Sequence, residues 1–199
     1  VAHDGLLQAN VAGGRRGRID VRAMEGSQPG AGVATTGGTS RMQADGGDIL
    51  VQGNRVTHQG MAQAESVGDR TGHIHFWGKE ALTFGGTSVT RARGGPTGVS
   101  HGGTIVGMAT DLSRGQLDVN AGATFDVSGG FQGGHGGELL LGDRRADAAG
   151  FSAVPFIGAA GSTYLAGRFR LIPADLVLDI GSVDLGPLQD VTLAALNNV

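Results

Sequence analysis

The sequence predicts an all-β protein, a parallel β-helix or solenoid with glycine-rich turns, from three observations. Glycine pairs recur along the chain, several lead directly into an alternation of apolar residues, and similar segments return at intervals of 25 to 35 residues. Glycine supplies 39 of the 199 residues and proline only 5, so the backbone turns often. Collagen would need glycine at every third position with far more proline, and a disordered linker would not carry 39% apolar residues.

The strands follow from the glycines. Gly47 precedes Asp48-Ile49-Leu50-Val51, Gly72 precedes His73-Ile74-His75-Phe76-Trp77, Gly103 precedes Thr104-Ile105-Val106-Gly107-Met108, and Gly137 precedes Glu138-Leu139-Leu140-Leu141. A period of two puts Ile49 and Val51, Ile74 and Phe76, and Leu139 and Leu141 on one face of each strand, while Gly107 interrupts the pattern. A second set, Leu82 to Phe84 and Leu117 to Val119, repeats at 35 residues, as do the glycine pairs that close Ser88 to Gly95 and Thr124 to Gly130. Three short strands per repeat, without the tryptophan-aspartate signature of propeller blades, favour stacked coils whose inward residues share one column. At roughly 25 residues per coil the chain makes about eight coils and a rod on the order of 40 Å.

Composition divides the chain at about residue 146, with 33 glycines before it and 6 after. Residues 1–145 read as glycine-rich coils. Residues 146–163, rich in alanine, glycine and serine but carrying Phe151, Phe156 and Ile157, read as a loop that protrudes from the rod or covers its edge. Residues 164–199 read as a continuing short-strand region, from Phe169/Leu171, Leu176/Leu178/Ile180, Val183/Leu185 and Val191/Leu193. The stretch from Pro187 to Asn198 also fits a helix; strand is the better reading. Val1-Ala2-His3-Asp4 opens without a signal-peptide pattern, and both ends read as cut from something longer.

Several function classes are excluded or weakened. The formal charge is −3 and only Arg15, Arg16 and Arg18 cluster, a solvated group that leaves no nucleic-acid footprint. No run of 18 apolar residues suggests a membrane span. The absence of cysteine removes disulfides and cysteine-based zinc sites.

The stretch Gly133 to Leu141 matches the calcium-binding nonapeptide once, with Glu138 in place of Asp, but the next nine residues do not repeat it, and calcium needs six to eight oxygens. No lysine and Ser/Thr follow Gly137 as a phosphate loop requires, and a strand rather than a helix follows the glycines, against dinucleotide binding. His73 and His75 share a strand face, a conceivable metal pair if His58 or His101 approaches from a stacked coil; solvent-facing histidines are the simpler reading. Trp77 lies on that same outer face, where it could stack on a sugar ring. Asp48, Asp118 and Asp126 point outward by alternation and would suit a carbohydrate-cleaving groove if they lined up, although a solvated face needs the same residues. No catalytic, cofactor-binding or metal-binding residue is assigned.

The run from Gly46 to Asp143, and above all Ala123 to Gly142, resembles the repeats of filamentous haemagglutinin-like exoproteins (adhesins) of Gram-negative bacteria: a strand, small residues, glycine pairs, then the next strand. That resemblance implies a right-handed parallel β-helix forming a secreted extracellular fibre for adhesion, with no catalytic residues in its shaft. The family's secretion domain carries an Asn-Pro motif, and this chain has no Asn-Pro dipeptide. The expectation is a non-enzymatic structural segment, without cofactor, located outside the cell or on its surface. Its partners would be host-cell, neighbouring-cell or glycan surfaces, with end-to-end self-association into filaments. The alternatives are a carbohydrate-active β-helix enzyme and a lectin-like glycan-binding module.

Overall fold

The computed structural model describes residues 1–23, 31–111 and 115–142 in full, and beyond them the backbone of six strands between residues 156 and 193. The described residues are all-β, with no helix. In chain order the strands are β1 (Ala2–His3), β2 (Leu6–Gln8), β3 (Arg18–Arg22), β4 (Val33–Thr36), β5 (Arg41–Gln43), β6 (Asp48–His58) and β7 (Met61–Gln63). They continue with β8 (His73–Phe84), β9 (Val89–Arg91), β10 (Thr104–Ala109), β11 (Gln116–Val119), β12 (Thr124–Asp126) and β13 (Glu138–Gly142). The last six are β14 (Phe156–Gly158), β15 (Thr163–Leu165), β16 (Arg168–Ile172), β17 (Leu176–Leu178), β18 (Ser182–Asp184) and β19 (Asp190–Leu193).

These strands form two sheets, of 12 and 7 strands, and every pairing between them is parallel. Each strand pairs with the equivalent strand of the next repeat. The first column runs β3, β6, β8, β10, β13, β16, β19; the second β1, β4, β6, β8, β11, β14, β17; the third β2, β5, β7, β9, β12, β15, β18. The long strands β6 and β8 belong to two columns, with a break in register between Gly53 and Arg55 where the chain passes from one to the next.

The registers coincide with the sequence repeat. Ile49 pairs Ile74, Ile74 pairs Ile105 and Ile105 pairs Leu139; Leu82 pairs Leu117 and Val89 pairs Thr124, both 35 residues apart. Among the described residues each column stacks seven strands, where eight coils were expected, and successive repeats in the first column vary from 22 to 34 residues instead of holding near 25.

All three columns face one core. Ile49, Val51, Ile74, Phe76, Leu139 and Leu141 are fully buried, as are Leu82, Leu117 and Phe125. Phe76 from the first column meets Phe84 from the second at 5.2 Å and 78°, and Phe84 meets Phe125 from the third at 4.8 Å and 75°. Burial of each ring is worth about 2–3 kcal/mol, and edge-on ring pairs add about 1 kcal/mol. Gly107, expected to break the register, is in register with Phe76 and Leu141; a Cβ there would lie 3.0 Å from Leu141 Cδ2 and 3.1 Å from the Phe84 ring. It is glycine because Phe84 fills that space.

Phe156–Gly158 is a strand of the second column, although it falls inside the segment read as a loop; Phe151 lies outside the described residues. Asp190–Leu193 is a strand, as expected, and not part of a helix. No helix among the described residues is long and apolar enough to cross a membrane.

The corner before the first column is built from glycines stacked on one another. Gly17, Gly47, Gly72 and Gly103 each offer their carbonyl to the amide that opens the next strand, at 2.9 Å to Asp48, 3.0 Å to His73, 3.0 Å to Thr104 and 2.9 Å to Glu138. A Cβ on Gly103 would lie 2.0 Å from Gly72 O, and one on Gly137 1.9 Å from Gly103 O. By contrast Gly68, at φ +58, has open space around it. Gly103→Ala is therefore expected to cost about 3 kcal/mol or more through overpacking against backbone that cannot move aside, and Gly68→Ala only about 1–2 kcal/mol of left-handed strain. Urea unfolding of the two variants at one pH checks the order.

Candidate functional site

The outward positions of the first column line up as rows across three strands. Arg18, Asp48 and His73 are register partners, as are Asp20, Leu50 and His75, and Arg22, Gln52 and Trp77. Alternation turns these side chains away from Ile49, Val51, Ile74 and Phe76, so what the core rejects collects here.

Arg18, Asp48, Leu50, His73, His75 and Trp77 line a groove of about 310 Å³. Trp77, the one tryptophan in the chain, is 37% exposed, and the His75 ring stands edge-on to it at 5.9 Å and 89°. Arg16 Nη1 donates to Asp48 Oδ1 at 3.2 Å, while Arg22 Nε and Arg18 Nη2 donate to Asp20 at 2.7 and 3.2 Å. Hydrogen bonding from Arg22, ahead of Arg18, holds the Asp20 carboxyl below its usual range. Burial, with help from the Arg16 charge and against the pull of Asp48, keeps His73 below the usual imidazole range, so it is neutral near pH 7. A neutral imidazole offers one donor and one acceptor.

The other histidines lie elsewhere. His58 is an inward residue of the second column, fully buried between Thr36 and Phe84 in register, with its Nδ1 2.6 Å from Thr36 Oγ1 and its ring 4.7 Å from Phe76. His101 stacks on His135 at 5.3 Å and 5°, and its Nδ1 accepts the His135 amide at 3.0 Å. Neither approaches His73 and His75 to complete a metal site, and no group of three or more His, Asp or Glu suited to a metal occurs among the described residues.

The three carboxylates named from alternation fall on three different columns: Asp48 on the first, Asp118 on the second and Asp126 on the third. Asp118 accepts from Gln116 at 2.7 Å. Asp126 is buried rather than solvated, its Oδ1 accepting from the Ser128 amide at 3.0 Å and hydroxyl at 2.6 Å. Of the three, Asp48 lines a described cavity, and neither Asp118 nor Asp126 shares it.

Sequence reasoning missed a different acidic pair. Asp45 and Glu65 follow Gln43-Ala44 and Gln63-Ala64, a repeated Gln-Ala-acid signature just after two paired strands, and both line a cavity of about 290 Å³. Asp45 accepts from Gln43, from Gln63 at 3.2 Å and from the Glu65 amide at 3.0 Å. Arg93 Nε donates to Glu65 at 2.7 Å, and the Arg93 guanidinium carbon lies 5.5 Å from the centre of the Phe131 ring. These carboxylates tie neighbouring repeats together at a corner.

The Gly133 to Leu141 stretch is a corner and a strand. Gly133 and Gly134 take φ +116 and +128, a Cβ on Gly134 would strike Ser100 O, and Glu138 sits in the ladder beside Thr104 and Arg168.

Comparison with protein-family models, curated proteins and solved structures finds no match for this chain.

His58 gives the molecule a pH dependence. Burial lowers its pKa from 6.5 to about 3, so between those values the unfolded chain binds a proton that the folded chain refuses. Its contribution is complete above pH 6.5 and is lost as pH falls, at about 1.4 kcal/mol per unit. Urea melts of the protein and of His58→Leu between pH 7 and 4 should show that slope in the difference between the two, because only the first carries the buried imidazole. The hydroxyl of Thr36, orphaned by the substitution, adds a pH-independent offset.

Proposed function

We propose that the two sheets close into a right-handed parallel β-helix, each repeat making one coil, and that the chain is a structural shaft segment of a secreted extracellular fibre of the filamentous haemagglutinin-like kind, serving attachment. The observation that carries this reading is the seven-deep parallel stacking of three strand positions, whose described inward residues share one core. Parallel crossovers are right-handed in nearly every known sheet. Seven strands spaced about 4.8 Å apart make a shaft on the order of 30 Å from first strand to last.

Leu7 supports a role in end-to-end assembly: it is in register with the fully buried Met42, yet it is 37% exposed, and its neighbour Leu6 is 62% exposed. Such an apolar strand edge suits pairing with a further strand, including that of a second copy. The reading assigns no enzymatic step and no cofactor. The competing carbohydrate-active enzyme would release new reducing ends from a polysaccharide panel, whereas the shaft releases none.

A shaft of stacked coils tolerates loss of a whole repeat. Removing residues 48–72 joins Gly47 to His73 and brings Ile19 beside Ile74 in place of Ile49, as the present registers allow. This deletion should retain a β-type circular-dichroism spectrum and a cooperative melt, while removal of residues 48–59 alone should unfold the chain. Unfolding by both deletions counts against the coil. Beads coated with the intact protein should adhere to epithelial or bacterial cells; the absence of adhesion across such a panel counts against the attachment role.

A further inference from the structure

We propose that the groove at Trp77 binds an uncharged disaccharide lying along the first half of β8. This deepens the attachment reading and rests on it for biological meaning, since it gives the shaft an adhesive face; the geometry of the site stands independently.

The groove has two edges of different chemistry. Trp77 and Leu50 form an apolar floor, and Arg18, Asp48 and His73 form a polar row on the neighbouring positions of the same strands. A pyranose has the matching division, with C–H groups on its ring face and hydroxyls around its rim. The C–H face lies against the indole, as aromatic faces accept C–H groups readily. At the other end, neutral His73 and the carboxylate of Asp48 meet hydroxyls. Each can hydrogen-bond a hydroxyl without a counter-charge on the ligand.

The length of the site sets the number of rings. His73 and Trp77 are four residues apart on a strand, about 13 Å, so one ring on Trp77 needs a second to reach His73. A groove of about 310 Å³ sits at the lower limit of ordinary ligand sites, which suits two rings and not a long chain. The two sides of Trp77 differ. Met108 is the register partner of Trp77 and Val106 that of His75, yet both are buried, in a small cluster with Leu140 that is separate from the core. Gln52, on the opposite side of Trp77, is exposed and leaves that side open.

An acidic sugar fits poorly. Arg18, the guanidinium that lines the groove, and Arg22 are already engaged with Asp20, Arg16 is engaged with Asp48, and the ligand's own carboxylate would face Asp48.

The single tryptophan makes the site its own reporter. Titration of the intact protein with lactose and with cellobiose should shift Trp77 emission to the blue and saturate at about millimolar concentration for at least one of them, with methyl glucoside about tenfold weaker. Saturation-transfer NMR should show contact with ring C–H protons, lost in Trp77→Ala and weakened in Asp48→Asn. Emission that stays constant to about 100 mM of either disaccharide overturns the proposal, as does equal or tighter binding of a galacturonate disaccharide. Saturation transfer that persists in a Trp77→Ala protein of unchanged circular dichroism also overturns it, by placing the sugar elsewhere. The emission titration needs no variant, so a misfolded substitution leaves the test intact. Bead adhesion without sugar binding removes this subsite and spares the attachment role; sugar binding without adhesion does the reverse.

Discussion

Backbone approaches backbone at the corner before the first-column strands β6, β8, β10 and β13, and the rest of the molecule depends on that contact. Strands of successive repeats lie at hydrogen-bonding distance only if the corners stack as closely as the strands do. At Gly47, Gly103 and Gly137 a Cβ would fall 1.9 to 2.2 Å from the carbonyl oxygen of the glycine one repeat earlier. No other residue removes that atom, so the column must be glycine whatever its φ. The same carbonyls accept the amides of Asp48, Thr104 and Glu138, which makes the corner the point where each repeat takes its register from the last. Register then decides everything downstream, because a one-residue slip would exchange the buried isoleucines for the charged and histidine residues between them.

This explains how much of the fold was legible in the sequence. The glycines before Asp48, His73, Thr104 and Glu138 mark the corner contact itself, and the alternation after them marks the face turned to the core; together they reveal the columns and their registers. What stayed illegible depends on distances between residues far apart in sequence. Gly107 breaks an alternation when read along β10, but in space its missing side chain is replaced by the Phe84 ring from another column. His58 belongs to an inward sequence, Val56 then His58, yet a histidine suggests an exposed or ligating residue until Thr36 is seen beside it. Asp126 ends a short strand, where period two no longer predicts burial once Ser128 folds back onto its carboxylate.

The interior also grades along its axis. In the second column the inward positions run Thr36, His58, Phe84, Val119, from a hydroxyl to an imidazole to an apolar ring. The contact between Thr36 Oγ1 and His58 Nδ1 pairs two polar atoms inside the core, which offsets part of the cost of burying them. Large rings concentrate at Phe76, Phe84 and Phe125, and Gly107 gives them room. The middle repeats are therefore held by packing that crosses between columns, and the first repeat, with Leu6 and Leu7 exposed, is held mainly by its strand pairing.

A sheet face of this kind has a consequence for recognition. Inward residues must be apolar and of fitting size, so variation that serves binding is confined to alternate residues on the outside. On the first column those residues include Asp48, His73, His75 and Trp77, held on long strands paired on both sides. Their backbone is already ordered by the ladder, and a ligand meeting them pays little to organise the site. A weak ligand such as a sugar depends on that saving, because few of its contacts are individually strong. The glycine corners, by fixing the register of β6 and β8, also fix which outer residues stand side by side, and so the constraint that builds the core composes the groove at Trp77 as well.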